Sequence, residues 1–131
     1  MAGMISIPTE RGFPNPKQRE TVWLWLYKLF AGVVIVVLLS VHFVVNHLVA
    51  PGGLLTYADI LRYYSHPFVR VMEIGFLFFA VTHSFVGIRS IFLDLDPSPR
   101  LIRFVDWALV ILGTVAIVYG AWLVLLIASR G

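Results

Sequence analysis

The sequence has no cysteine and few charged residues. Without a thiol among its 131 residues, the chain itself can form no disulfide, ligate no iron–sulfur cluster and attach no c-type haem covalently. Charged side chains make up 13% of the residues, about half the share of an ordinary soluble domain. The ten basic residues form no extended run, so the net charge of +3 does not indicate a nucleic-acid surface.

What the chain has in abundance is apolar sequence, with 60% hydrophobic residues and a mean hydropathy of +0.90. The stretches 29–50 and 107–129 carry no full charge, and each is long enough for a hydrocarbon core of about 30 Å. A third stretch has a shorter uncharged centre, 74–88, and spans only if its flanking charges face protein or the membrane surface. We therefore predict an all-α membrane protein with a polar tail at 1–21 and a membrane region at 22–131, whose three transmembrane helices lie at about 23–50, 67–93 and 104–129.

Between the first two spans, Thr56 and Asp59 have the spacing of a capping box. This predicts a short helix within 54–64 that lies in the membrane interface, with a plain loop as the alternative. Orientation follows from the basic residues, because cytoplasmic segments are rich in Lys and Arg. Seven of the ten fall on the side of the N-terminus, which predicts a cytoplasmic N-terminus: Arg11, Lys17, Arg19, Lys28, Arg89, Arg100 and Arg103.

His83 is the residue that indicates chemistry. An imidazole inside a membrane span needs a hydrogen-bond partner or a metal. Gly87, one turn later, leaves space on the same helix face for a flat group, and Arg89 can reach an anion at the membrane surface. This combination favours an axial haem ligand with a cation for the propionates or for a quinone. The alternative for His83 is an interhelical hydrogen bond, and for Arg89 a plain interfacial anchor.

The other histidines differ from His83 in depth. His42 lies about 12 Å further across the membrane, so one ring cannot readily be ligated by both residues, whereas two stacked cofactors can. A hydrogen bond is the alternative role of His42. His47 and His66 fall near the outer interface and are expected to be ordinary interfacial residues. Because the chain offers one ligand at each depth, a haem with two histidine ligands requires a second chain.

The run from Thr82 to Asp94 resembles the second helix of the small membrane-anchor subunits of succinate dehydrogenase and fumarate reductase. That helix carries a His-x-x-x-Gly-x-Arg pattern and an aspartate eleven residues after the histidine, matched here by His83, Gly87, Arg89 and Asp94. A looser similarity extends from Trp23 to Leu126. The chain looks like the D-type, cytochrome b anchor subunit, because the Ser-Pro-His stretch usual in the C-type chain is absent.

The resemblance implies haem b held between two anchor chains with His83 as one ligand, and in some relatives a second haem, for which His42 is placed. It also implies a quinone site, to which Asp94 contributes. Many relatives have a tyrosine where this chain has Leu95, which shifts quinone contacts towards partner subunits.

The implied partners are the second anchor subunit, an iron–sulfur subunit and a flavoprotein subunit, which carry out the oxidation of succinate. The implied location is the inner (plasma) membrane of a prokaryotic cell. Two alternatives stay open at this stage: a quinol:fumarate reductase anchor, and a non-redox membrane scaffold or assembly protein whose histidines only form hydrogen bonds.

Overall fold

The computed structural model describes residues 21–49 and 56–131, so the predicted tail at 1–21 lies outside it except for Thr21. Helix α1 spans Val22–Val44 and continues through a π-helical turn, Val45–Val49. Helices α2, α3 and α4 span Tyr57–Ser65, Pro67–Asp94 and Pro99–Ala128. Three helical segments are long and apolar enough to cross a membrane, Val22–Leu48, Pro67–Asp94 and Pro99–Ala128. This confirms the predicted all-α class with three spanning helices.

The helix ends follow local chemistry. The Thr56 hydroxyl accepts from the Asp59 amide while the Asp59 carboxylate accepts from the Thr56 amide, so the predicted capping box and short helix are confirmed. Helix α3 begins at Pro67, whose fixed φ suits a first helical turn, and its N-cap residue is His66. Helix α4 likewise begins with a proline, Pro99. The residue before it, Ser98, is the N-cap, and its hydroxyl accepts a hydrogen bond from the Leu101 amide.

Helix α3 lies between α1 and α4 and packs against both, while α2 packs against α3 and α4. Small residues permit the close approach of α4. A Cβ on Gly113 would lie 3.0 Å from the Phe85 ring, and one on Gly120 would lie 2.5 Å from Leu77. Most large apolar side chains on the spans are exposed, as expected where lipid or further protein covers them.

We predict that Gly113→Leu destabilises the protein, because the new side chain collides with the Phe85 ring at the contact between α3 and α4. Overpacking of this kind costs about 1–3 kcal/mol. Thermal unfolding of the detergent-purified protein measures the effect. Val115→Leu is the matched control, since Val115 lies on the same helix and is 60% exposed. Equal melting temperatures for the two variants would contradict the packing described here.

Candidate haem-binding site

His83 is fixed against helix α1 by one ring nitrogen. Its Nδ1 lies 3.1 Å from the backbone oxygen of Lys28, and a Cβ on Gly32 would come within 3.3 Å of its Cε1. The glycine thus makes room for the imidazole edge. A carbonyl oxygen only accepts hydrogen bonds, so Nδ1 carries the proton and Nε2 holds the lone pair, as in a histidine prepared to bind a metal.

The face of α3 that carries His83 is open one turn further on. A Cβ on Gly87 would meet no heavy atom within 4 Å. Within the described residues, the Lys28 carbonyl is the only hydrogen-bond partner of the His83 ring. The two nitrogens of an imidazole point in nearly opposite directions, so Nε2 points away from the Lys28 carbonyl. The Nε2 lone pair of His83 and the open position at Gly87, one turn further along the same helix, together fit axial ligation of a flat macrocycle.

Two polar contacts flank His83 between α1 and α3. Lys28 donates from Nζ to Ser90 Oγ at 2.8 Å, and the hydroxyl groups of Tyr27 and Thr82 share a short hydrogen bond. Ser90 lies two turns beyond His83 on the same face of α3. A cation and a hydroxyl therefore stand at the end of the open face around Gly87.

A second polar cluster surrounds His42 at a different level. Nδ1 of His42 lies 2.6 Å from Glu73 Oε1, and the same oxygen accepts from the Tyr63 hydroxyl at 2.5 Å. Asn46 donates to the Tyr63 oxygen at 3.3 Å, and the His42 ring stacks on Phe76 with centroids 5.9 Å apart. This cluster joins α1, α2 and α3.

Tyr63 acts as a donor in this cluster. Burial raises the pKa of its hydroxyl above the usual value, and the hydrogen bond to Glu73 raises it further. The group therefore keeps its proton at physiological pH. The Glu73 carboxylate contacts His42 and Tyr63. A buried carboxylate in a span requires a nearby donor, so its position in the sequence indicates a partner on another helix.

The two histidines occupy separate depths. Glu73, beside His42, precedes His83 by ten residues of helix, which corresponds to about 15 Å along the axis. The structure therefore does not bring His42 and His83 to one metal. In the described ranges, no group of three or more His, Asp or Glu side chains converges on a metal position either.

Arg89 contacts α4 instead of the His83 face. Its Nε and Nη2 donate to the two oxygens of Asp106 at 2.6 and 3.3 Å, a bidentate ion pair between α3 and α4. Sequence reasoning missed Asp106, although α3 and α4 are antiparallel and both residues lie near the same end. The pair closes one end of a groove of about 580 Å³ with mainly apolar walls, among them Leu24, Val81, Phe85 and Val110.

The remaining predicted residues lie at helix ends. Asp94 is the exposed last residue of α3, and Leu95 after it is 72% exposed. His47 is exposed beside Phe43, with ring centroids 5.0 Å apart, and His66 is exposed between α2 and α3. These positions leave the predicted quinone contact of Asp94 untested.

These features define a multi-pass membrane subunit with partnered polar groups at two depths. The sequence profile of the succinate dehydrogenase/fumarate reductase transmembrane subunit family matches residues 10–121, and the chain belongs to that family. It is also similar to the succinate dehydrogenase hydrophobic membrane anchor subunit of Archaeoglobus fulgidus. The two are 26% identical over 99 residues, which cover 76% of this chain and 84% of the relative. The resemblance seen in the sequence is thus confirmed.

We predict that Arg89 and Asp106 stabilise the pair of helices jointly. In a double-mutant cycle with Arg89→Gln and Asp106→Asn, the coupling energy should exceed about 1 kcal/mol, above the range typical of exposed pairs. The pair is bidentate, and both side chains are at most 37% exposed. Thermal or denaturant unfolding of the four proteins gives the coupling. Additive effects of the two substitutions would show that the contact contributes nothing.

Proposed function

We propose that this chain is the membrane-anchor subunit of a succinate:quinone oxidoreductase, and that it binds haem b together with a second anchor subunit. The observation that carries the proposal is the arrangement of His83, which holds its Nδ1 proton on the Lys28 carbonyl and keeps the Nε2 lone pair available, one helical turn from the open position at Gly87. The name of the relative from Archaeoglobus fulgidus supports the succinate dehydrogenase assignment.

His83 is the ligand that this chain supplies at the inner level, and a histidine of the second anchor subunit is the other. Gly87 would leave space for the macrocycle, and Lys28 and Ser90 at the end of that face would hold its propionates. Arg89, the cation proposed for this role from the sequence, is instead paired with Asp106 on α4. The bound haem supplies one-electron transfer.

His42 is the ligand for a second haem at the outer level. Its Nδ1 is occupied by Glu73, its ring is held flat against Phe76, and its side chain is about one-third exposed, at 34%. Nε2 is thereby left for the metal. The separation from His83 of about 15 Å along α3 leaves space for two stacked cofactors.

The quinone is expected near the inner end of α3, where the groove closed by Arg89 and Asp106 offers apolar walls and polar groups at one end. Asp94 lies at the same end of the helix and is the proposed proton-exchanging residue. Leu95 provides no hydroxyl there, so further contacts come from partner subunits.

The chemistry on the dicarboxylate belongs to the flavoprotein and iron–sulfur subunits, which this chain holds at the membrane. Lys28, Arg89, Arg100 and Arg103 lie at one end of the three spans, which favours a cytoplasmic N-terminus in the inner membrane of a prokaryotic cell. The polar tail at 1–21 is proposed to meet the iron–sulfur subunit, because it precedes α1 in the sequence and is rich in Arg and Lys.

We predict that His83→Ala removes the inner haem, because the substitution deletes the imidazole that is the proposed axial ligand. The haem content of the purified complex, measured as pyridine haemochrome per flavin, should fall by one equivalent. His47→Ala is the matched control and should leave the count unchanged, since His47 is exposed at the far end of α1. An unchanged count in His83→Ala would show that His83 does not ligate the haem, whereas a wild-type complex without haem would favour a non-redox scaffold.

We also predict that Gly87→Leu excludes the haem without disturbing the chain. A Cβ at this position meets no heavy atom within 4 Å among the described residues, so Gly87→Ala should leave the packing of the chain unchanged, and a loss of haem points to a molecule on the open face. Haem content should fall in Gly87→Leu and fall less in Gly87→Ala, while the amount of chain in the membrane stays constant. Full haem content in Gly87→Leu would place the macrocycle elsewhere.

A further inference from the structure

Glu73 is a buried carboxylate inside a spanning helix, 9% exposed, and helix packing alone gives no reason for it. Ionisable residues at such positions are energetically costly and are usually retained for a function. Its contacts with His42 and Tyr63 therefore call for an explanation beyond the association of α1 with α3.

The hydrogen bonds around Glu73 run in one direction. Asn46 donates to the Tyr63 oxygen, and Tyr63 donates to Glu73 Oε1, the oxygen that also meets His42 Nδ1. One oxygen that receives two donors is typical of an ionised carboxylate, which only accepts. In such a series of hydrogen bonds, each bond polarises the next, and the series stabilises negative charge on Glu73.

The two histidines consequently have unlike partners. Nδ1 of His83 meets a neutral carbonyl at 3.1 Å, whereas Nδ1 of His42 meets a carboxylate at 2.6 Å. A carboxylate attracts the Nδ1 proton more strongly, which makes Nε2 a more basic ligand. A more basic ligand and a nearby negative charge both favour ferric over ferrous iron.

We propose that Glu73 is a positioning residue for His42, fixing its tautomer and lowering the midpoint potential of the iron that His42 binds. The inference rests on the proposed haem function and deepens it, since it concerns the outer level alone. Tyr63 moderates the effect by sharing Oε1 with His42.

The test is a redox titration of the purified complex, followed by the visible spectrum, for the wild type and three variants. Glu73→Gln keeps the shape but loses the charge, so one component of the titration should move to higher potential while the component assigned to His83 stays in place. Tyr63→Phe removes the competing donor and should move the same component to lower potential. His42→Ala should remove that component and one haem equivalent.

Several outcomes would overturn the inference. Two haems with neither potential shifted in Glu73→Gln, or both shifted equally, would show that Glu73 acts only on packing. Should Glu73→Gln fail to assemble, an unshifted potential in Tyr63→Phe overturns the inference as well. An unchanged haem count in His42→Ala would show that His42 binds no haem, which overturns the inference. The proposal for the inner haem would still stand, because His83→Ala tests that ligand separately.

Discussion

The structure depends on one constraint, which is that polar groups within apolar spans must find partners on neighbouring helices. His83 meets the Lys28 carbonyl, His42 meets Glu73, and Arg89 meets Asp106. Each contact joins α3 to another helix, so all three of these interhelical polar contacts include a residue of the central helix. Close packing at glycine positions adds to these contacts.

The same partners decide what each histidine can do. A histidine whose Nδ1 proton is already held presents Nε2 in a fixed direction, and this pre-organisation suits an axial ligand better than a freely rotating ring. In both His83 and His42 the Nδ1 atom contacts an oxygen on a neighbouring helix, but the two residues lie at different depths. A single chain therefore offers one ligand at each of two levels, which makes a second anchor subunit part of the proposed site.

Hydrophobic pattern and capping chemistry were sufficient to predict the helical class, the three spans and the short helix α2, because these depend on local sequence. The sequence also indicated that His83 and His42 differ in depth, since helical rise converts residue number into distance. The partners of the polar side chains were harder to predict from the sequence. Asp106 and the Glu73–His42 contact depend on how helices face one another, which residue spacing along one helix does not contain.

The central claim is that His83 gives its Nε2 lone pair to haem iron. A density map of the intact complex in its membrane or in nanodiscs tests this most directly. We expect a porphyrin against the Gly87 face, with its iron at coordination distance from His83 Nε2 and Nδ1 still on the Lys28 carbonyl. A map in which that face is covered by lipid or protein side chains, with no porphyrin beside His83, would contradict the account.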